Sequence, residues 1–402
     1  MLLLATLATL LCSSMAGHYL FWLPFGSKSM KIGIMELGEE LGARGHTVTV
    51  VSAYGSKAEM AGVRDIVITS TFQGLVQEAI GEVLVRKGAD VPWFAMIEQT
   101  IVDSRAALTH PEVQELLAEA SVDVVCVVPF GNEVGYYLAQ KLNATLALLW
   151  TGTVSMPHIN WAMGNPHNPA TLPMPLTGYR HPMTFSQRVI NTLATAAFAA
   201  VNELYLRRKT HALLEEVFPE DQEIPTIAAM AQTASLLVTH GSPFLGDGLR
   251  PTMPHAVHGA LMGCRATGPL EGHLKAFVEG AEHGVIFISF GSLIKPSMMP
   301  EEKRQMMVRV LGGLQQRVVW KWDGAMPDAP TNVMVSSWLP QPSLLAHPNL
   351  RLFITHAGAG SLQVLRVNVL LETTLPRKLF ATPPPLLPSR STATSSRTRG
   401  RR

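Results

Sequence analysis

The chain has 402 residues, 47% of them hydrophobic and 15% charged, with a formal net charge of +2. That length exceeds one ordinary core, so two domains are expected, and the near-balance of charge leaves no electrostatic footprint for nucleic acid. Three cysteines exclude a disulfide framework and offer no metal-ligand spacing.

Residues 1–16 open with the apolar run MLLLATLATLL, and Ser14 and Ala16 occupy the small-residue places of a cleavage site. The run is well short of the roughly 20 residues of a spanning helix, so a secretory signal peptide is expected. Asn143-Ala144-Thr145 is a glycosylation sequon that only a lumenal chain can use. Cys12 falls in the leader, Cys126 in an apolar strand and Cys264 in a loop. Two free thiols are expected there in preference to a 126–264 bridge.

From His18 the pattern is strand, loop, helix, strand: YLFWLP, FGSKS, Met30 to Arg44, then the Gly45 stop and VTVVSAY. A helical stretch at Pro111–Ala120 leads to the strand VDVVCVV, the helix Asn132–Leu142 and the strand TLALLW. Strands alternating with helices predict a parallel sheet covered on both faces. Ligands of such sheets gather at the carboxyl ends of strands. Residues 151–183, rich in Pro, Gly, Met and His, predict a long ordered loop that shapes a pocket. The apolar VINTLATAAFAAV that follows is too short and alanine-rich for a membrane span and is expected to pack. A domain boundary is expected near Gly263 to Pro269.

The second half repeats the logic. A helix over Leu270–Glu282 precedes GVIFISF, the Gly291-Ser292 turn, a helix from Pro300 to Gln316, RVVWKW and a strand over Asn332–Trp338. A proline-bounded helical turn, a buried strand (Leu350–Thr355), His356, Gly358, Gly360 and Ser361 close it. Glycines that admit a close backbone, N–H groups at a helix start, a hydroxyl and an imidazole suit a diphosphate.

WLPQ, then AHP and FITHAGAGS, together with ISFGS, resemble the signature of the UDP-glycosyltransferases of animal secretory membranes, the UDP-glucuronosyltransferase-like group, over about residues 18–363. The resemblance implies an α/β glycosyltransferase B fold, two Rossmann-like domains facing a cleft with the second incomplete. The domains are then 17–265 for the acceptor and 266–363 for the UDP-sugar, followed by a divergent tail, 364–402, whose composition predicts disorder. It places Gly291, Ser292 and His356 at the diphosphate beside Gly358, Gly360 and Ser361, Trp338 against the uracil, and Gln341 along the nucleoside pocket. It implies an inverting transfer of a glucosyl or glucuronosyl group from a UDP-sugar to a small lipophilic acceptor in the endoplasmic reticulum lumen. No metal and no cofactor beyond the donor are expected, and oligomers with family members are.

Two departures stand against this. Catalysis in the family rests on a histidine that takes the acceptor's proton and an aspartate that orients it; here those positions fall on Met30 and Val128. Neither side chain accepts a proton. Glu133, His158 and Lys28 are the nearby substitutes, whereas His18 and His46 read as structural and Asp123 stands at the wrong end of its strand. The family's ribose-binding glutamate is replaced by Val364, and neither the later sugar-gripping acidic-Gln pair nor a terminal membrane anchor follows. The alternative reading is a catalytically impaired, truncated relative that acts as a non-catalytic lumenal binding or regulatory protein.

Overall fold

A run that is apolar on every side chain is satisfied only in a sheet covered on both faces. The Leu20–Leu23 stretch of His18–Leu23 (β1) is such a run: Leu20, Phe21 and Trp22 have no exposed surface. In the computed structural model it lies at the centre of the first of two sheets. The structure describes residues 16–56, 60–70, 93–152, 156–165, 167–174, 177–221, 223–240, 253–259, 268–291, 295–356, 358 and 360–361.

Helix α1 (Lys28–Ala43) follows β1, with the Ser27 hydroxyl capping it by accepting from the Met30 amide. β2 (Thr47–Ser52) and β3 (Val63–Val67) extend the sheet on one side of β1. After α2 (Trp93–Leu108) and α3 (Pro111–Glu119), β4 (Val124–Val127) pairs on the other side. Then come α4 (Val134–Lys141), β5 (Thr145–Trp150), α5 (Pro157–Ala162) and α6 (Phe185–Val201). A π-helical turn (Asn202–Leu206) joins α6 to α7 (Arg207–Val217), and α8 (Ile227–Ala231), β6 (Leu236–His240) and β7 (Ala256–Gly259) complete the unit. The strand order is β3-β2-β1-β4-β5-β6-β7, so the chain reverses direction across the sheet between β1 and β4. Asn132, fully buried, bridges the two strand ends: it accepts from the Phe25 amide at 2.9 Å and donates to the carbonyls of Phe25, Val128 and Phe130.

The second sheet begins after α9 (Gly272–Glu279) with β8 (Val285–Ser289), every residue of which is buried. α10 (Glu301–Gly312), β9 (Arg317–Lys321), β10 (Val333–Ser336), α11 (Gln341–Leu345) and β11 (Leu350–Thr355) follow, in the order β10-β9-β8-β11. Its reversal lies between β8 and β11, where Phe287 stacks on Phe353 with ring centroids 5.0 Å apart.

One sequence expectation changes, and the expectation of a free thiol at Cys126 holds. The VINTLATAAFAAV segment does not bury its apolar face; α6 buries the polar Asn191 and Thr195 and leaves Val189, Ile190 and Leu193 exposed. Cys126 is a free, buried thiol whose pKa burial pushes up to about 12, so it forms no bridge. The leader through residue 15, Cys264 with most of the expected boundary, Ser292, Val364 and the tail lie outside the described residues.

Candidate functional site

The carboxyl ends of β8 and β11 bring the Phe290-Gly291 turn against His356. Gly291 takes φ +87°, a left-handed conformation open to glycine. A Cβ added there would lie 2.6 Å from His356 Cε1, and one on Gly358 would lie 2.5 Å from His356 Nε2. The imidazole therefore sits between two bare stretches of backbone. Beside it the chain turns helical at Gly360 and Ser361, and Gln341 Nε2 at the start of α11 donates to Ser361 Oγ at 3.1 Å. Trp338, in the turn between β10 and α11, is 45% exposed. Seven expected residues, Gly291, Trp338, Gln341, His356, Gly358, Gly360 and Ser361, thus lie in the segments that follow β8, β10 and β11.

Crowding of the imidazole lowers the His356 pKa, the nearby Lys321 charge lowers it further, and a hydrogen bond to the Ser289 backbone opposes both. The ring is neutral near pH 7 although its rim is open to solvent. Donation of one ring N–H to the Ser289 carbonyl leaves the second nitrogen an acceptor until a proton arrives. An anion placed there would favour that proton. The Ser289 hydroxyl, also at this end of β8, is buried without a protein partner.

Two lysines complete the site, one of them missed by sequence reasoning. Lys321 Nζ donates to the Gly291 carbonyl at 2.8 Å and stands 5.1 Å from the Trp338 ring centroid. Lys28, read from sequence as a substitute base, instead reaches from the first turn of α1 to within 5.0 Å of the same ring. Burial and then the Lys28 charge hold Lys321 below the ordinary lysine range. The motif WKW was the available signal for Lys321, but nothing local tells which lysine meets which indole.

Across the cleft the expected base and acid positions share one apolar cluster. Met30 packs against the cluster that contains Phe21, Ile34 and the fully buried Val128. Glu133 is buried, accepts from the Gly131 amide and has its carboxyl pKa raised by desolvation. Desolvation pushes His158 down to about 4, with one ring nitrogen bonded to the Pro129 backbone and Nδ1 buried without a partner. His158 and Trp161 of α5 line a concavity of about 570 Å³ with Ala200, Leu204, Arg207 and Gln232, as expected for the 151–183 loop. His18 and His46 are structural: Thr49 Oγ1 bonds the His18 ring at 2.9 Å, and His46 Nδ1 accepts from the Gly17 amide at 3.0 Å. Asp123 accepts from the His18 amide at the amino end of β4.

Two parallel Rossmann-like sheets, each with its reversal point at the carboxyl ends of the central strands, define a glycosyltransferase B fold. The glycosyltransferase of kitacinnamycin has this architecture, with a TM-score of 0.54 at 19% identity over 87% of this chain and 78% of that one. So does a UDP-glucosyltransferase from Polygonum tinctorium, with a TM-score of 0.53 at 14% identity over 88% and 78% of the two chains. The chain belongs to the UDP-glucoronosyl and UDP-glucosyl transferase family, whose model matches residues 26–364. UDP-glucosyltransferase 2 of Dactylopius coccus is 28% identical over 377 residues, 92% of this chain and 72% of its own length. UDP-glucuronosyltransferase 1A1 of Homo sapiens is 32% identical over 257 residues, which are 63% of this chain and 46% of that protein.

Proposed function

We propose that the second sheet's loops bind the UDP moiety of a UDP-sugar and that the chain transfers a glucosyl or glucuronosyl group, with inversion, to a small lipophilic acceptor held by the first unit. The observation that carries this is the enclosure of His356 between the Gly291 and Gly358 backbones, with the Gln341–Ser361 pair beside it and an exposed indole at Trp338. Gly291, Gly358 and Gly360 leave the backbone bare for the diphosphate, His356 and the Ser361 hydroxyl contact it, and Trp338 offers a flat face to the uracil. Ser292 takes its diphosphate role on the motif alone. We place the protein in the endoplasmic reticulum lumen, supported by the leader and by Asn143, which is exposed in the turn between α4 and β5.

Met30 and Val128 narrow the acceptors. An alcohol is a weak nucleophile until a base takes its proton, a step that contributes roughly 10²–10⁴-fold. With methionine there, the acceptor is one that ionises by itself or carries an amine. The same pair favours a second reading, a chain that binds the nucleotide and transfers nothing. Titration with UDP by calorimetry, followed by product analysis with UDP-glucose and UDP-glucuronate against phenols and amines, separates the two. UDP binding weaker than low micromolar is expected, given Val364, together with slow product formation that Met30→His accelerates. Binding without product from either donor, for both wild type and Met30→His, establishes the second reading. No binding of UDP overturns both.

A further inference from the structure

Strand alternation decides where Lys321 points. Trp320 and Trp322 are buried together in one core of the second unit, with ring centroids 5.0 Å apart. Lys321 between them therefore faces the other side of the sheet, at the carboxyl end of β9. There its Nζ is held 2.8 Å from the Gly291 carbonyl, against the turn that encloses His356. Lys28 arrives from the other unit. It opens α1 directly after the Ser27 cap, and the first turn of that helix carries no acidic residue, so the positive end of the helix dipole adds to its charge. The two ammoniums stand about one indole, 5.0 and 5.1 Å from the Trp338 ring centroid.

Among the described residues no carboxylate answers them. Other half-buried lysines of this chain are matched, Lys31 by Asp65 and Lys141 by Asp221, each at 2.7 Å. Asp323, whose charge is felt at Lys321, has its oxygens taken by the Ser297 amide and hydroxyl at 2.9 and 2.7 Å. Two like charges repel, and an indole face holds an ammonium only weakly. The two lysines also differ in freedom. Lys321 is fixed by the Gly291 carbonyl, whereas Lys28 Nζ makes no hydrogen bond or ion pair among the described residues. Its flexible four-carbon stem can swing three donors toward an anion. An anion of more than one charge, set against the Gly291 turn, would relieve the repulsion and draw Lys28 in.

We infer that Lys28 of the first unit and Lys321 of the second grip the donor's diphosphate between them, Lys28 turning from the indole to a phosphate oxygen as the uracil comes to the ring. The inference rests on the reading of the second sheet's loops as the UDP site and adds to it a binding residue from the opposite side of the cleft. In a glucuronate donor the sugar carboxylate is a second anion on the same molecule. The diphosphate is favoured because Lys321 is bonded to the Gly291 turn itself.

The test is calorimetric titration of the full-length chain with UDP, beside uridine followed by ligand-observed nuclear magnetic resonance. Lys28→Met keeps most of the stem and removes the charge. It is expected to weaken UDP by about ten-fold or more and uridine not at all, with the circular dichroism spectrum and the thermal midpoint retained. Lys28→Arg should recover most of the UDP affinity. Added salt should weaken UDP less in the methionine variant than in the wild type, because one screened attraction is gone. Equal UDP affinity of wild type and Lys28→Met, or equal losses for UDP and uridine, overturns the inference and leaves the nucleotide site standing. So does a loss confined to UDP-glucuronate, because Lys28 then serves the sugar carboxylate. A wild-type chain that binds no UDP removes the nucleotide reading first, and the clamp with it.

Discussion

On both sides of His356 only a hydrogen fits where a side chain would branch. The sequence reads Gly291 and Gly358 as admitting a ligand; the structure gives them the prior duty of admitting the imidazole. Gly358→Ala must displace that ring, since its Cβ would lie 2.5 Å from Nε2. UDP affinity is expected to fall roughly ten-fold or more with the fold retained, measured by calorimetry against circular dichroism. The pH dependence has a definite sign. The free site holds the His356 pKa below its ordinary value, and a bound diphosphate raises it. Binding therefore takes up a proton, and affinity is expected to rise as pH falls from above the pKa of the complex toward that of the free site. UDP-glucose is the suitable probe because its diphosphate does not titrate there. His356→Asn should flatten the profile; an unchanged slope would move the titration to another group.

At the scale of elements, the ends of β1 and β4 are tied by one amide. Asn132→Ala leaves the Phe25 amide and the carbonyls that Asn132 serves without their partner inside the core. At about 1–3 kcal/mol for each buried group left unpaired, a loss of roughly 3 kcal/mol or more is expected, read as a lowered denaturant midpoint. Many elements were legible from their periods: β1, β2, β4, β5 and the strands of the second sheet, with the helices α1, α3, α4, α9 and α10, fall within a few residues of expectation, whereas β3, β6 and α2 carried none and β7 lies in a stretch that reads as turn-rich. The facing of α6 was not. Periodicity identifies an apolar stripe but equates it with the buried side, and here the buried side is chosen by Asn191, whose partners in residues 169–174 lie more than a turn of helix away in sequence.

Across the whole molecule, the alternation of strands and helices and the THAGAGS and ISFGS turns were enough to read two parallel sheets. Chain order does not tell which side chains of one sheet reach the other, and so Lys28 stands in the sequence as one of three substitute bases although it lies over Trp338. The positions where the sequence reading sets the family's base and acid, by contrast, have a physical form: Val128 belongs to the apolar cluster that contains Phe21 and Leu23 of β1, and Met30 packs against it. With the Asn132 amide already satisfied by backbone at this reversal, the hydrocarbon around it offers water little polar foothold. The amides of β1 and β4 should then trade hydrogen for deuterium only when the first unit opens as a whole. Mass spectrometry of peptides spanning Leu20–Leu23 and Val124–Val127 is expected to find them the slowest to exchange, and Met30→His to quicken both. The apolar packing around Met30 would thus set the clock on which the floor of this cleft meets solvent.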